Sequence, residues 1–230
     1  MTQLHVTVMP NTLGRDFVLG DLHGMTGQLF DAMKEVVFDP AIDRIFSVGD
    51  LIDRGPNSLD AAALLLEPWF YCVRGNHEQM AIDAIKDQDD VTWHLNGGEW
   101  SKDIPYGMLL ELRDMLLTTP YAITLLRPDG RSVGIVHAEW GGDDWSEIGQ
   151  AVMNPKKVNQ MLWGRDIYRE KVVNIDPTAA VTIHGHTPVG RPTKLGTALF
   201  IDTAAVYGGT ITLLDIEDAI LIESSDPDSL

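Results

Sequence analysis

Five apolar segments of this chain each run directly into residues that commonly bind metal ions. They open the stretches VLGDLHG (18–24), FSVGDLID (46–53), CVRGNHE (72–78), GIVHA (134–138) and VTIHGHTP (181–188). Short apolar runs bounded by glycine predict buried strands. In α/β sheets, binding sites assemble in the crevice outside the carboxyl ends of the strands. The pattern therefore predicts one site, built from five strand ends that are distant in the sequence.

The first third of the chain alternates between strand and helix patterns. Strands are predicted at 15–19, 44–48 and 70–73, with helices at 27–38 and 58–67 between them. This order is typical of right-handed crossovers in a largely parallel sheet.

The rest of the chain is richer in predicted strands. Helices are expected at 108–118 and 155–162, and strands at 122–126, 132–136, 180–183, 198–201, 209–216 and 218–222. Strands that follow helices favour a second sheet packed on the first. We therefore expect an α/β fold with two sheets face to face and helices outside. A single doubly wound sheet is the alternative.

Residues 1–230 are expected to form a single domain, because a chain of this length can enclose one substantial core. The polar stretch 87–103 contains Gly-Gly and two tryptophans, and we interpret it as a long loop or lid-like insertion. The C-terminal tail, 223–230, is expected to be frayed.

The formal net charge of −17 argues against binding to nucleic acid or to an anionic membrane, since those partners are usually held by cationic patches. No apolar run approaches the roughly 20 residues that span a bilayer. The N-terminus lacks the pattern of a signal peptide, and the single cysteine, Cys72, excludes an intrachain disulfide framework. We therefore expect a cytoplasmic protein. Phosphate chemistry stays open, because bound metal ions can locally invert the field.

Six residues at the predicted strand ends supply carboxylate, amide or imidazole groups, and none supplies a thiolate. They are Asp21, His23, Asp50, Asn76, His137 and His186. Such oxygen and nitrogen donors suit Mn, Fe or Zn. Six candidates exceed the need of one catalytic ion that keeps open positions, and a carboxylate can bridge two ions about 3.5–4 Å apart. The residues therefore predict a pair of divalent ions.

Three of the stretches, GDLHG, GDLIDRG and RGNHE, resemble the signature motifs of the phosphoprotein phosphatase family of binuclear metallophosphoesterases. VHA and HGHTP resemble the two later histidine motifs of that family. GNHEQM, WHLNGGEW and WGR are similar to sequences of the phage-lambda-type and related bacterial serine/threonine protein phosphatases. The resemblance extends from about residue 16 to 188. It implies a metallophosphoesterase-type two-sheet β-sandwich flanked by helices.

The resemblance also divides the six candidate ligands between two ions. Asp21 and His23 would hold the first ion, and Asp50 would bridge both. The asparagine and the two later histidines would complete the second. Mn²⁺ is the expected metal, with Fe or Zn as alternatives. A water whose pKa is lowered by the two cations is the expected nucleophile.

Four further residues acquire catalytic roles from the resemblance. Arg54 and Arg165 would grip the phosphate, since the guanidinium fork can hold two phosphate oxygens at once. His77 would protonate the leaving oxygen, and Asp53 would orient His77. Glu78 is a candidate for a residue that supports the metal ligands from behind.

The implied activity is that of a metal-dependent protein phosphatase that hydrolyses phosphomonoesters on serine or threonine, with tyrosine and histidine as further candidates. Its partner would be a phosphoprotein or phosphopeptide; the sequence does not indicate the oligomeric state. A diadenosine-polyphosphate hydrolase is the alternative, because such enzymes share the metal motifs. That branch tends to lack the aspartate of the DRG element, Asp53 here. A catalytically inactive metal-binding adaptor is the third hypothesis.

Several aromatic and histidine side chains remain open to two interpretations. His184, two residues before a candidate ligand, is expected to be structural. Four tryptophans of the irregular stretches could pack in the core or wall the cleft and contact substrate: Trp93, Trp100, Trp140 and Trp145.

Overall fold

Two β-sheets form the centre of the computed structural model, which describes residues 3–226. The strands are β1 (His5–Val8), β2 (Asp16–Leu19), β3 (Arg44–Ser47), β4 (Phe70–Cys72), β5 (Ala122–Leu126), β6 (Ser132–Val136), β7 (Ala179–His184), β8 (Thr193–Leu195), β9 (Ala198–Phe200) and β10 (Leu213–Asp215).

Helices flank the sheets. The α-helices are α1 (Thr26–Glu35), α2 (Ser58–Ala63), α3 (Asn76–Asp87), α4 (Val91–Leu95), α5 (Tyr106–Leu116), α6 (Ile148–Ala151), α7 (Pro155–Trp163), α8 (Asp166–Arg169) and α9 (Ile216–Leu221). Short 3₁₀ helices occur at Leu64–Leu66, Gly98–Asp103, Trp145–Glu147 and Ala205–Tyr207.

The smaller sheet has the strand order β10-β2-β3-β4, and the larger sheet has the order β1-β5-β6-β7-β9-β8. In the smaller sheet β2, β3 and β4 are parallel, and β10 joins the edge antiparallel to β2. In the larger sheet β6, β7 and β9 are parallel. The predicted two-sheet α/β fold is confirmed, and the single doubly wound sheet is wrong.

The side chains of β2 alternate between two hydrophobic clusters, as the two-residue period of a strand requires. Val18 joins the apolar side chains of the larger sheet, among them Ile135 and Val181, in a fully buried layer between the sheets. Phe17 and Leu19 face the other way, toward the helices. Burying such a side chain contributes roughly 1.5–3 kcal/mol. The strand that leads into the first motif is therefore packed on both faces.

Helices α1, α2, α3 and α5 cover the outer face of the smaller sheet. Each of these helices contributes a buried side chain to one hydrophobic cluster, in the same order Leu29, Ala61, Ala81 and Leu112. On the outer face of the larger sheet, a separate cluster includes residues of α6 and α7. Rigid layers thus stand behind the strands that end at the predicted site.

Two predicted strands near the C-terminus differ from the structure. The strand predicted at 209–216 is confined to β10, and the segment 218–222 lies mostly in α9. The side chain of Asp215 caps α9 by accepting a hydrogen bond of 2.9 Å from the backbone N–H of Glu217. A short apolar run fits a buried helix as well as a strand, so the cap decides the outcome.

The first strand, β1, was not predicted. It pairs in parallel with β5, and His5 lies 2.8 Å from the hydroxyl of Thr124 through its Nε2 atom. This strand forms by pairing with β5, which lies more than 100 residues away. The local sequence pattern does not reveal such a distant partner.

The stretch 87–103 forms the end of α3, helix α4 and the 3₁₀ helix Gly98–Asp103. In the tail, Ser224 accepts a hydrogen bond from the N–H of Gly196, and Ser225 donates one to the carbonyl of Lys194. Residues 227–230 of the predicted frayed tail lie outside the described residues. Within the described range, every helix is too short or too polar to cross a bilayer.

Candidate metal centre

The first three motif loops leave β2, β3 and β4 at the same edge of the smaller sheet, because these strands are parallel and in register. Four predicted site residues in these loops have left-handed backbones, and so does His186 in the fifth motif loop, after β7. Their φ angles are 43° at His23, 50° at Asp50, 75° at Asp53, 67° at Arg54 and 63° at His186. Such a conformation costs a non-glycine residue roughly 1–2 kcal/mol. Strain of this kind, held by its surroundings, is common at functional sites.

Asp50 lies at the centre of the cluster and is almost completely buried. Its Oδ1 atom is 3.4 Å from Nε2 of His137. Its Oδ2 atom is 3.7 Å from Nε2 of His23 and 3.9 Å from Nε2 of His77. Burial alone would raise the pKa of Asp50, but the surrounding histidines outweigh it and lower the pKa below the usual range. The carboxylate is therefore ionised and can face two sides of the site.

Two histidines are held in one tautomer by backbone carbonyls. Nδ1 of His23 donates to the carbonyl of Ile52 at 2.9 Å, and Nδ1 of His137 donates to that of Val48 at 2.8 Å. Each Nε2 lone pair then faces the site. Burial lowers the pKa of His23 to about 4 and also lowers that of His137. Both rings are thus neutral near pH 7, as metal ligands must be.

Asn76, the first residue of α3, presents its Oδ1 atom 2.8 Å from Nε2 of His137. Two acceptors therefore face each other, with a third, Oδ1 of Asp50, 3.4 Å from the same nitrogen. A cation among them would satisfy all three. Buried acceptors that face one another without a donor between them fit a metal-binding role.

Two trios of residues each offer donor atoms within 4.8 Å of one another, and both include Asp50. The trios are His23, Asp50 and His77, and Asp50, His137 and His186. Burial, with a contribution from His137, lowers the pKa of His186 to about 3. The oxygen and nitrogen donors fit divalent ions, and the shared aspartate fits a pair of them.

Asp21 lies beside the trios rather than in one of them. Its carboxylate accepts the backbone N–H of His186 at 3.1 Å. Burial, followed by the nearby carboxylates of Asp202 and Asp50, raises the pKa of Asp21 well above its ordinary value. A cation in contact with this carboxylate would offset both causes. Its role as a ligand of the first ion stays a prediction.

Asp53 and His77 form a buried pair. Nδ1 of His77 donates to Oδ2 of Asp53 at 2.7 Å, which directs Nε2 toward Asp50. Burial would lower the pKa of His77, but the Asp50 and Asp53 carboxylates outweigh it and raise the pKa. The ring can therefore carry a proton on the atom that faces the site.

Two indole groups complete the hydrogen bonding of Asp53. Nε1 of Trp93 donates to both oxygens of the Asp53 carboxylate at 3.0 Å, and Nε1 of Trp100 donates to Oδ1 at 2.8 Å. From the sequence, these tryptophans had two interpretations, core packing or a position on the cleft wall. Neither interpretation indicated a contact with Asp53. Their positions 40 and 47 residues after Asp53 carry no signal for it.

A cleft of about 300 Å³ opens above these residues. Three arginines line it although the chain is strongly acidic: Arg54, Arg165 and Arg169. Nη1 of Arg54 donates to Nε2 of His23 at 2.7 Å, and Nη2 of Arg165 donates to the carbonyl of His186 at 3.2 Å. The cleft is thus a positive surface above a cluster of metal-type donors, an arrangement suited to phosphate.

The model of the calcineurin-like phosphoesterase family matches residues 17–214, which include all the predicted site residues. The chain belongs to this family. The family resemblance of the five motifs is therefore confirmed.

Relatives of this phosphoesterase carry more than one activity in their names. Over 209 residues it is 35% identical to serine/threonine-protein phosphatase 1 of Salmonella typhimurium, covering 87% of this chain and 91% of that protein. Over 223 residues it is 29% identical to an asymmetrical bis(5′-nucleosyl)-tetraphosphatase of Anoxybacillus flavithermus, covering 86% of this chain and 88% of that protein.

Solved structures agree on the fold. The phosphoesterase matches a cold-active protein-tyrosine phosphatase of the psychrophile Shewanella with a TM-score of 0.56 and 16% identity, covering 93% of this chain and 78% of the other. At this identity the match concerns the fold alone.

Two buried carboxylates near the phosphoesterase site were missed by sequence reasoning. Glu139, two residues after His137, accepts the backbone N–H of Ile167 and so holds the segment that carries Arg165. Asp202, just after β9, is buried near Asp21, and burial raises its pKa to about 6. The only signal for either was its position shortly after a strand, which many structural residues share.

The remaining candidates are structural. His184 is fully buried, with Nε2 2.9 Å from the hydroxyl of Thr182 and its ring stacked on Phe200. Trp140 and Trp145 pack against each other with ring centroids 5.6 Å apart in the cluster outside the larger sheet. Neither tryptophan lines the cleft, so the core interpretation holds for both.

Proposed function

We propose that this phosphoesterase removes phosphate from serine or threonine residues of proteins or peptides. The observation that carries the proposal is the buried Asp53–His77 pair, with a bond of 2.7 Å and the free Nε2 atom facing the site. The leaving group of a phosphoserine is a poor one, so its oxygen needs a proton as the P–O bond breaks. A histidine held by a carboxylate is suited to supply that proton.

Arg54 and Arg165 bind the phosphoryl oxygens in this proposal. Both line the cleft above Asp50, and neither is paired with a carboxylate among the described residues. The phosphoryl group spreads negative charge over its oxygens in the transition state. Guanidinium groups fixed in a cleft stabilise that charge and orient the ester so that its leaving oxygen faces His77.

Two divalent cations complete the proposed site, with Mn²⁺ as the proposed metal and Fe or Zn as alternatives. Bound there, they would supply Lewis-acid stabilisation of the phosphate and a water of lowered pKa. The residues proposed to hold them are Asp21, His23, Asp50, Asn76, His137 and His186. His77 lies in one of the donor trios, but its bond to Asp53 favours the role of proton donor.

A diadenosine-polyphosphate hydrolase is the second candidate. The similarity to a bis(5′-nucleosyl)-tetraphosphatase over most of both chains supports it. Two exposed aromatic rings near the arginines could also stack on a nucleobase: Trp163 lines the cleft, and Tyr207 lies under the guanidinium of Arg54 at 5.7 Å. Of the Salmonella typhimurium and Anoxybacillus flavithermus relatives, each matched over most of both chains, the serine/threonine phosphatase has the greater identity, and this, with the retained Asp53, favours the first candidate.

A parallel assay with Mn²⁺ separates the candidates. A phosphoserine peptide and diadenosine tetraphosphate are compared by kcat/KM. A preference of about tenfold or more for the peptide is the expected result. The reverse preference would assign the protein to dinucleotide hydrolysis. If neither substrate nor an aryl phosphate is turned over, the hypothesis of an inactive metal-binding adaptor replaces both enzymatic candidates.

A further inference from the structure

The segment 91–103 touches two parts of the proposed catalytic machinery at once. Through Trp93 and Trp100 it donates hydrogen bonds to Asp53. Through the carbonyl of Gly97 it accepts the backbone N–H of Arg54 at 3.1 Å. The proton donor and the phosphate-binding arginine are therefore held by the same short piece of chain.

Close packing explains two glycines of this segment. Gly97 has a φ of 108°, and a Cβ there would lie 2.7 Å from Cγ of Arg54. A Cβ at Gly98 would lie 2.5 Å from the indole ring of Trp93. The backbone thus lies directly on the two side chains that it positions, without room for a side chain of its own.

The Asp53 carboxylate needs these donors. It is fully buried, and His77 occupies only one of its oxygens. A carboxylate has about four acceptor positions, and a buried acceptor left without a partner costs roughly 1–3 kcal/mol. The indole N–H groups of Trp93 and Trp100 fill the remaining positions and prevent rotation of the carboxylate. They carry no charge and do not titrate near neutral pH, so they act by fixing the orientation of the carboxylate.

We propose that Trp93 and Trp100 are positioning residues that act through Asp53 to hold His77 in line with the leaving oxygen. This inference rests on the proposed reaction but not on its natural substrate. A tryptophan-to-phenylalanine change keeps most of the ring packing and removes the N–H donor. The loss of activity should therefore appear in the proton-transfer step rather than in substrate binding.

Trp100→Phe tests the proposal, since Trp100 is only partly buried and its replacement is tolerated more easily than that of Trp93. On phenyl phosphate, kcat should fall about tenfold with KM changed less than about twofold. On 2,4-dinitrophenyl phosphate, whose leaving group needs no proton, the loss should be under about twofold. Trp69→Phe is the matched control, because the Trp69 indole donates to Glu67 instead. It should leave both rates unchanged.

A double-mutant cycle provides the decisive comparison. In a His77→Asn background, Trp100→Phe should cause no further loss of kcat on phenyl phosphate. An equal loss with and without His77, or with both leaving groups, would overturn the proposal. Because aryl phosphates are used throughout, a failure of the phosphopeptide assay leaves this test intact.

A second readout does not depend on activity. Asp53→Asn should shift the indole N–H resonances of two of the six tryptophans in the proton NMR spectrum. Trp93→Phe should lack one of these two resonances, and Trp100→Phe should lack the other. A shift of other indoles, or of none, would contradict the assigned contacts.

An independent observation concerns Arg169, which lines the cleft one helical turn after Arg165. Its side chain is exposed, and no hydrogen bond or ion pair to its guanidinium is found within residues 3–226. Arg54 and Arg165 already suffice for one phosphate in the proposed reaction. The third arginine therefore adds a cationic group to the cleft that the binding of this one phosphate does not require.

We infer that Arg169 binds a second anionic group of the substrate, next to the scissile phosphate. This inference deepens the proposed function by naming a substrate class. The second group could be an acidic or phosphorylated neighbour in a peptide, or the adjoining phosphate of a polyphosphate. The shared chemistry is a second oxyanion within reach of the guanidinium fork.

Paired substrates test Arg169. Wild-type protein should have a kcat/KM about fivefold or more higher for a phosphoserine peptide with a glutamate neighbour than for one with a glutamine neighbour, mainly through KM. Arg169→Gln should abolish that preference, so that the ratio of the two kcat/KM values falls to about one. Arg131→Gln, which removes another exposed charge, one paired with Asp129, should keep the preference.

The assay of Arg169→Gln with diadenosine tetraphosphate identifies the source of the second anionic group. If Arg169→Gln weakens turnover of diadenosine tetraphosphate but leaves the peptide preference intact, the second group is a neighbouring phosphate. If neither substrate pair depends on Arg169, the inference is overturned. Turnover of the neutral peptide reports on the proposed function separately.

Discussion

The backbone N–H of Asp50 donates a hydrogen bond of 2.9 Å to the buried carboxylate of Glu78, which joins the second motif loop to the third. The same carboxylate accepts the N–H groups of Leu51 and Gly75 at 2.8 Å. Asp50 has a left-handed backbone at this point, and these bonds hold it there. Glu78 thus lies behind Asp50 and supports it through the backbone, the kind of role for which the sequence made it a candidate.

Glu78→Ala should weaken the site by freeing these loops. Affinity for Mn²⁺ should fall about 10–100-fold, because bonds behind a ligand orient it. The free energy of unfolding of the metal-free protein should fall by about 2 kcal/mol or more, since buried N–H groups lose their acceptor. Calorimetric titration and urea denaturation measure the two effects. Glu99→Ala, which removes an exposed carboxylate paired with Lys102, is the control and should change neither.

Asp50→Asn should remove metal binding and activity together, because both donor trios share this carboxylate. The wild-type protein should lose aryl phosphatase activity on treatment with a chelator and regain it with Mn²⁺. Metal content after dialysis, measured beside the rate, checks both expectations. Turnover that resists the chelator would rule out a metal-dependent reaction.

Glu139→Ala should loosen the segment that carries Arg165. The carboxylate accepts the N–H of Ile167 and lies 3.5 Å from the amide nitrogen of Gln160, on either side of that arginine. KM for an aryl phosphate and the inhibition constant of inorganic phosphate should both rise about tenfold, with a smaller change in kcat. Steady-state kinetics distinguish this from a general loss of activity. Glu147→Ala, an exposed carboxylate elsewhere, should leave the constants unchanged.

Asp43 gives the stability of the protein a pH dependence away from the metal centre. Burial would raise its pKa, but hydrogen bonds from Arg15 and from the N–H of Asp39 lower it below 3.8. A lowered pKa in the folded state means that its stabilising effect is present above about pH 4 and is lost as the pH falls through the folded value.

Asp43→Asn should therefore destabilise the protein by about 1 kcal/mol at pH 6, a modest amount because the Arg15 side chain is 44% exposed and solvent screens the pair. The difference from wild type should shrink as the pH approaches 3. Urea denaturation at several pH values measures it. The exposed pair of Asp31 with Lys34 supplies a control in Asp31→Asn, and a constant difference across the pH range would contradict the assignment.

The sequence predicted the strand ends of this site because each combines a short apolar run with an abrupt change to polar residues. Parallel pairing of β2, β3 and β4 then brings those ends together without further information. The partners of Asp53 could not be predicted in the same way. Their contact depends on how the polar stretch 91–103 folds back over the site, and no periodicity in that stretch encodes its direction.

Segments without a strong pattern were also the source of the errors in the fold. α9 and a strand are equally compatible with the apolar run near the C-terminus, and one capping side chain, Asp215, resolves the choice. β1 forms because it pairs with β5 at the edge of the larger sheet. For β1 the deciding contact lies far outside the local sequence window, so a prediction from local patterns cannot detect it.

The left-handed turns at His23, Asp50 and His186 have a consequence for protein engineering. Copying the same side chains onto the loops of another scaffold would not transplant the site, because those loops would relax to ordinary backbone angles and turn the ligands away. A graft would have to carry the supporting contacts as well, such as the Glu78 carboxylate behind Asp50. What could be transferred to another protein is therefore the set of turns together with the contacts that hold them. The side chains are positioned as ligands only on those turns.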